Sequence, residues 1–116
     1  MPWMPDVNDM DLVREYCARR SEPAFETLVR RNGSLVYSAA LRQIGNPAQA
    51  EEITQAVFVL LARKAASLWP DAVLAAWLHE TTRHVAASFV RGEIRRRRRE
   101  HEAYMQSTLQ PSSKEH

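Results

Sequence analysis

The 116-residue sequence has a single cysteine, Cys17, so neither an internal disulfide nor a multi-thiolate zinc site can form within one chain. Cys17 reads most simply as a small buried hydrophobe. The three glycines, Gly33, Gly45 and Gly92, are too few and too scattered for hairpin turns, and no segment alternates apolar and polar residues over a strand's length. A sheet is excluded on that pattern. No apolar run nears the ~20 residues of a membrane-spanning helix, and residues 1–10 carry prolines and aspartates where a signal peptide needs a basic and then an apolar stretch. The expectation is a cytoplasmic protein with no membrane span. Its length allows one compact domain, thin for a multi-layered enzyme. A glycine-rich phosphate loop and a nucleophile elbow are also missing. His79, Glu80 and His84 fail the zinc-protease pattern because the histidines stand five apart and diverge around a helix. With no catalytic constellation, metal site or cofactor pattern, the sequence reads as non-enzymatic.

What is present is an uneven charge. Residues 1–82 hold eight Lys/Arg against ten Asp/Glu, whereas residues 83–102 hold seven against three, so an acidic body is joined to a basic arm. The formal net charge of +2 conceals this division.

Helical periodicity runs through the chain and predicts an all-α fold, a compact orthogonal bundle of about four helices with the last one long and basic at its C-terminal end. A first helix is expected over 9–20, with Asp9 as N-cap and Leu12, Val13, Tyr16 and Cys17 on one face. Ser21 and Pro23 open a second, whose stripe is Phe25, Leu28, Val29, Val36, Ala39 and Ala40. Gly33 is expected to loosen it midway, and Gly45 to close it in a left-handed conformation after Ile44. Asn46, Pro47 and Gln49 form the strongest boundary signal, an N-cap, a first-turn proline and a capping-box partner. The buried face that follows is Ile53, Val57, Leu60, Leu61 and Leu68. Trp69, Pro70 and Asp71 break the pattern as a connector. A fourth helix begins near Val73, with Leu74, Trp77, Leu78, Thr81, Val85 and Phe89 on its apolar face. The expected organisation is a tail over 1–8, a helical domain over 9–103, and a disordered end or linker over 104–116.

Three constellations bear on function, and each has a plainer reading. Arg95, Arg96, Arg97, Arg98 and Arg99 point all the way around a helix, so the run must project into solvent. It either contacts phosphates by counterion release or is a solvated helix terminus. Glu51 and Glu52 lie in the first turns of the third helix, where they favour the dipole; with Gln55 one turn on, they equally form an acidic docking face. Trp69, off the regular pattern, is the better candidate for stacking on an unpaired base, whereas Trp77 lies on the apolar stripe and reads as core.

The order of elements over 9–100 resembles the region 2 domain of bacterial extracytoplasmic-function (ECF) sigma factors, the promoter-recognition subunits of RNA polymerase. The matching stretches are Asp11-Leu12-Val13, Ala24-Phe25-Glu26-Thr27-Leu28-Val29-Arg30-Arg31, Gly45-Asn46-Pro47-Ala48-Gln49-Ala50-Glu51-Glu52-Ile53-Thr54-Gln55, and Ala76-Trp77-Leu78 followed by Arg83 and the arginine run. The resemblance implies that the third helix docks on the clamp helices of the polymerase beta-prime subunit through Glu51, Glu52, Gln55 and Val59. Ala56 stands where the family usually has Glu. It further implies that the connector and fourth helix hold the non-template strand of the minus-ten element. That places Leu68, Trp69, Asp71, Arg83, His84, Ser88 and Arg91 near DNA, with the five arginines beyond them. His79-Glu80 replaces the family's frequent Tyr-Arg, and His84 its frequent Asn, which leaves base preference open. An anti-sigma factor is admitted as a further partner; no cofactor is required, since polymerase performs the chemistry. A complete member carries a second domain for the minus-thirty-five element, so the chain reads as an excised domain or a truncated protein. The competing reading is a helical interaction module whose basic tail binds an acidic partner.

Overall fold

The computed structural model describes residues 7–69 and 72–109. Four α-helices follow one another, α1 (Asp9–Arg19), α2 (Glu22–Ile44), α3 (Pro47–Lys64) and α4 (Leu74–Leu109), with a 3-10 turn (Ala65–Ser67) after α3 and no strand among the described residues. The all-α expectation holds.

Local chemistry sets the boundaries. Asn8, one residue before the expected cap, accepts from the Met10 N–H at 2.7 Å. Ser21 accepts from the Ala24 N–H and Asn46 from the Gln49 N–H at 3.0 Å, each ahead of a first-turn proline. Gly45 closes α2 at φ 70°, where its N–H reaches the Leu41 carbonyl at 2.8 Å. Arg20 closes α1 in the same left-handed region at φ 51°, and its guanidinium lies 4.9 Å from the centroid of the Tyr16 ring. Tyr16 in turn packs against Phe25 with centroids 4.9 Å apart, which fixes the corner between α1 and α2.

The core forms where α2 lies against each of the other three helices. Leu12 and Val13 of α1, Leu28, Val36 and Ala40 of α2, Ile53, Val57 and Leu61 of α3, and Leu74, Leu78 and Ala86 of α4 are all buried. Asn32 occupies the α2 stripe between Leu28 and Val36, buried, with its Nδ2 donating to the Leu28 carbonyl at 3.0 Å and to Asp9 Oδ2 at 3.3 Å. Arg31 holds the same Asp9 at 3.1 Å and also donates to the Val7 carbonyl, so the start of α1 is tied to the middle of α2.

Several expectations are corrected. Cys17 is exposed, because the residues beside it are Val13, Ala18 and the small Ala65 and Ala66 of the 3-10 turn, which leave it open. Gly33 does not interrupt α2. Leu60 is only half-buried, and Phe58 takes its place in the core. The buried line of α4 is Leu74, Leu78, Thr82 and Ala86, while Trp77, Thr81, Val85 and Phe89 flank it half-buried. The small side chains at 82 and 86 allow close approach to α2, and the Thr82 hydroxyl is satisfied by the Leu78 carbonyl at 2.6 Å. Residues 104–109, expected as part of a disordered end or linker, continue α4. The 36 residues of that helix carry it past the bundle and stretch the molecule to 73 × 27 × 24 Å.

Candidate functional site

The solvent side of α3 is set by its buried side. Ala50, Ile53, Val57, Phe58 and Leu61 face the core, so Glu51, Glu52, Gln55, Ala56 and Val59 are all turned outward. Glu52, Gln55 and Val59 therefore share one exposed stripe about two turns long, with Glu51 at its edge. Val59 is 49% exposed, high for an aliphatic residue in mid-helix. Gln55 and Val59 border an open groove of about 520 Å³ whose other wall is Phe25 and Val29 of α2, with Phe58 at its base. A carboxylate pair at the helix start thus leads into an apolar trough. Phe25 and Val29 were read from the sequence as core; their presence here is legible only once α2 and α3 are paired.

On α4, the ~100° step aligns Trp77, Thr81, His84, Ser88, Arg91 and Arg95 within about 40° of one line. Trp77, Thr81, His84, Val85 and Ser88 border one depression with Leu60 and Lys64 of α3. The structure so brings together His84 and Ser88, with Arg91 one turn further along. It adds Lys64, Thr81 and Trp77, which sequence reasoning did not assign. Trp77 is half-buried, with its neighbours His84 and Lys64 exposed. Arg83 lies off this line, and its guanidinium reaches Glu80 Oε1 at 3.3 Å. The other oxygen of Glu80 lies 3.3 Å from His84 Nε2.

The connector residues separate. Trp69 is 76% exposed, the most open of the large apolar side chains among the described residues. Leu68, by contrast, packs against the core beside Met10, Val13 and Cys17 of α1, away from the His84 surface. Asp71 falls outside the described residues.

The arginine run is helical and fully outside the bundle, with Arg95, Arg96, Arg97, Arg98 and Arg99 all exposed. Arg96 is bound to Glu93 at 2.6 Å and approaches Glu100 at 3.9 Å. Arg95, Arg97, Arg98 and Arg99 make no ion pair among the described residues. Arg95 and Arg99 extend the line of His84 and Arg91, and Arg97 faces almost the opposite way. Among the described residues no group of three or more His, Cys, Asp or Glu is arranged to hold a metal ion, and no helix is long and apolar enough to cross a membrane.

Residues 28–100 match the family model for sigma-70 region 2. The chain is also similar to the ECF RNA polymerase sigma factor SigE of Mycolicibacterium smegmatis, with 35% identity over 75 residues. That alignment takes in 63% of the chain and 29% of the relative, so the chain spans under a third of the length of the curated protein it matches.

Proposed function

The chain belongs to the sigma-70 region 2 family, and from that premise we propose that it docks on bacterial RNA polymerase core through α3 and holds the non-template strand of the promoter minus-ten element along α4. The observation that carries this reading is the separation of two exposed surfaces on a single rigid bundle. One is the Glu52, Gln55 and Val59 stripe beside the apolar trough; the other is the basic line from His84 to Arg95.

The docking face combines charge for orientation with apolar area for affinity. Glu51 and Glu52 attract basic side chains of the beta-prime clamp helices, and the trough between Phe25, Val29 and Val59 accepts an apolar side chain from one of them. Gln55 supplies hydrogen bonds in which register matters.

Melting the minus-ten element unstacks bases at a cost of a few kcal/mol per step, which contacts to the released strand must offset. Trp69 offers an exposed aromatic face for one base. His84, Ser88 and Lys64 offer polar groups beside the half-buried Trp77, and Arg91 and Arg95 follow the backbone. The bond-making chemistry of transcription belongs to polymerase, and α4 acts by binding.

The test is a pull-down of polymerase core with the chain, compared with the Glu52→Lys, Gln55→Ala double variant. The reading predicts retention of core by the wild type and its loss by the variant, with helical content unchanged. Equal retention by both proteins contradicts the assignment of α3.

A further inference from the structure

Glu80 is an acidic residue set between Arg83 and His84 on the proposed strand-binding helix. Its two carboxylate oxygens are divided between them: Oε1 takes Arg83 at 3.3 Å and Oε2 takes His84 at 3.3 Å. All three side chains are more than half exposed, so the arrangement contributes little to the stability of the bundle. Its consequence is electrostatic. A phosphate approaching this turn of α4 meets a carboxylate, and the guanidinium and imidazole that could receive it are already engaged.

We propose that Glu80 is a brake on phosphate contact, a positioning residue that keeps Arg83 and His84 from the nucleic-acid backbone until a bound strand displaces its carboxylate. The proposal rests on the reading of α4 as the strand-binding helix. Arg83 lies off the line of Trp77, His84, Ser88 and Arg91, and Glu80 lies between Arg83 and that line. Releasing Arg83 therefore adds a cation at the edge of the track. Phosphate contacts strengthen every strand alike, whereas base contacts distinguish strands. Withholding one cation lowers affinity for all sequences and leaves the base-reading share of the total larger. Glu80 thus lowers the strength of strand binding and leaves the preference among strands unchanged. Arg91 and Arg95, further along the same line, have no carboxylate on them among the described residues, so the brake is confined to the turn beside His84.

The experiment is a salt series of single-strand binding by the full chain, on polymerase core, for wild type, Glu80→Gln, Arg83→Gln and the double variant. Glutamine keeps the size and helix propensity of glutamate, and circular dichroism verifies the fold. For one recovered phosphate contact the log-log salt slope of Glu80→Gln steepens by about 0.7, which is about a fivefold gain in affinity for each tenfold fall in salt. Scrambled and selected strands gain alike, so the ratio of their affinities stays as in the wild type. In the Arg83→Gln background the gain from Glu80→Gln shrinks, as expected if Arg83 is what the carboxylate restrains. Strand binding with the same slope and affinity in wild type and Glu80→Gln overturns the brake while leaving the strand-binding reading standing. Absence of strand binding by every variant overturns both.

Discussion

Asn32 illustrates how far a single residue departs from its pattern. It occupies an apolar position of α2, yet its side chain is buried because it meets the Leu28 carbonyl and Asp9 across the α1–α2 contact. The sequence reading of the α2 stripe passed over it as polar; its partner Asp9, twenty-three positions earlier, is a tertiary fact that no local pattern contains. Loss of a hydrogen bond to a charged acceptor costs about 1.5 to 3 kcal/mol. Asn32→Ala is therefore expected to lower unfolding free energy by about that amount in a urea titration, and a loss below ~0.5 kcal/mol contradicts the tie it makes to α1. Cys17 fails in the other direction, apolar by type and exposed in fact, on an open groove that it shares with Arg14, Ala66 and Leu68. Trp69 was legible as exposed because the following proline breaks the periodicity around it. If a base stacks there, Trp69→Ala weakens binding of a promoter-like strand by about 1 to 3 kcal/mol. Fluorescence anisotropy with a labelled strand reads this directly, and unchanged binding removes Trp69 from the site.

At the scale of the element, the boundaries were the most legible part of the sequence because their causes are local. Ser21, Gly45 and Asn46 each act through a backbone group within four residues. The two glycines of α2 and its end make opposite predictions. A Cβ at either position meets nothing within 4 Å, so backbone conformation alone decides the outcome. Gly33 sits in regular helix, and Gly33→Ala is expected to stabilise by about 0.5 to 1 kcal/mol. Gly45 at φ 70° is left-handed, and Gly45→Ala is expected to destabilise by about 1 kcal/mol. Thermal melts of the two variants should move in opposite directions; a shift of the same sign contradicts the assignment of one cap or the other. The burial of α4 was less legible. Leu74 and Leu78 are buried as expected and Trp77, Val85 and Phe89 pack half-buried against the core, but Thr82 and Ala86 were missed because they give a weak apolar signal. The extension of α4 yields a prediction about phosphates. Arg95 and Arg99 continue the line of Arg91, whereas Arg96 is bound to Glu93 and Arg97 faces away. Replacing Arg95 and Arg99 with Gln should flatten the single-strand salt slope by about 1.4, at roughly 0.7 per contact, and replacing Arg96 and Arg97 should leave it nearly unchanged. Equal effects of the two pairs contradict a one-sided track.

The whole molecule is a helical bundle from which α4 projects, 73 Å in its long dimension. The sequence announced the acidic body and the basic arm through the charge division, and the expected last helix, long and basic at its C-terminal end, is the one α4 forms. That continuity matters because within one helix the residues from Trp77 to Arg95 keep a fixed spacing, which the proposed strand contacts require. The trough beside Val59 was not legible, since it exists only between two helices whose apolar residues each resemble core in isolation. The central claim is that this rigid face reads sequence in an unpaired strand when the chain sits on polymerase. Selection from a randomised pool of single-stranded DNA, using the chain bound to polymerase core against core alone, measures that claim without knowledge of the promoter. The account predicts that the pool held by the complex converges on a short shared motif absent from the core-only pool, and that His84→Ala changes the motif. A pool that remains random, or that converges on the same sequences with and without the chain, contradicts it.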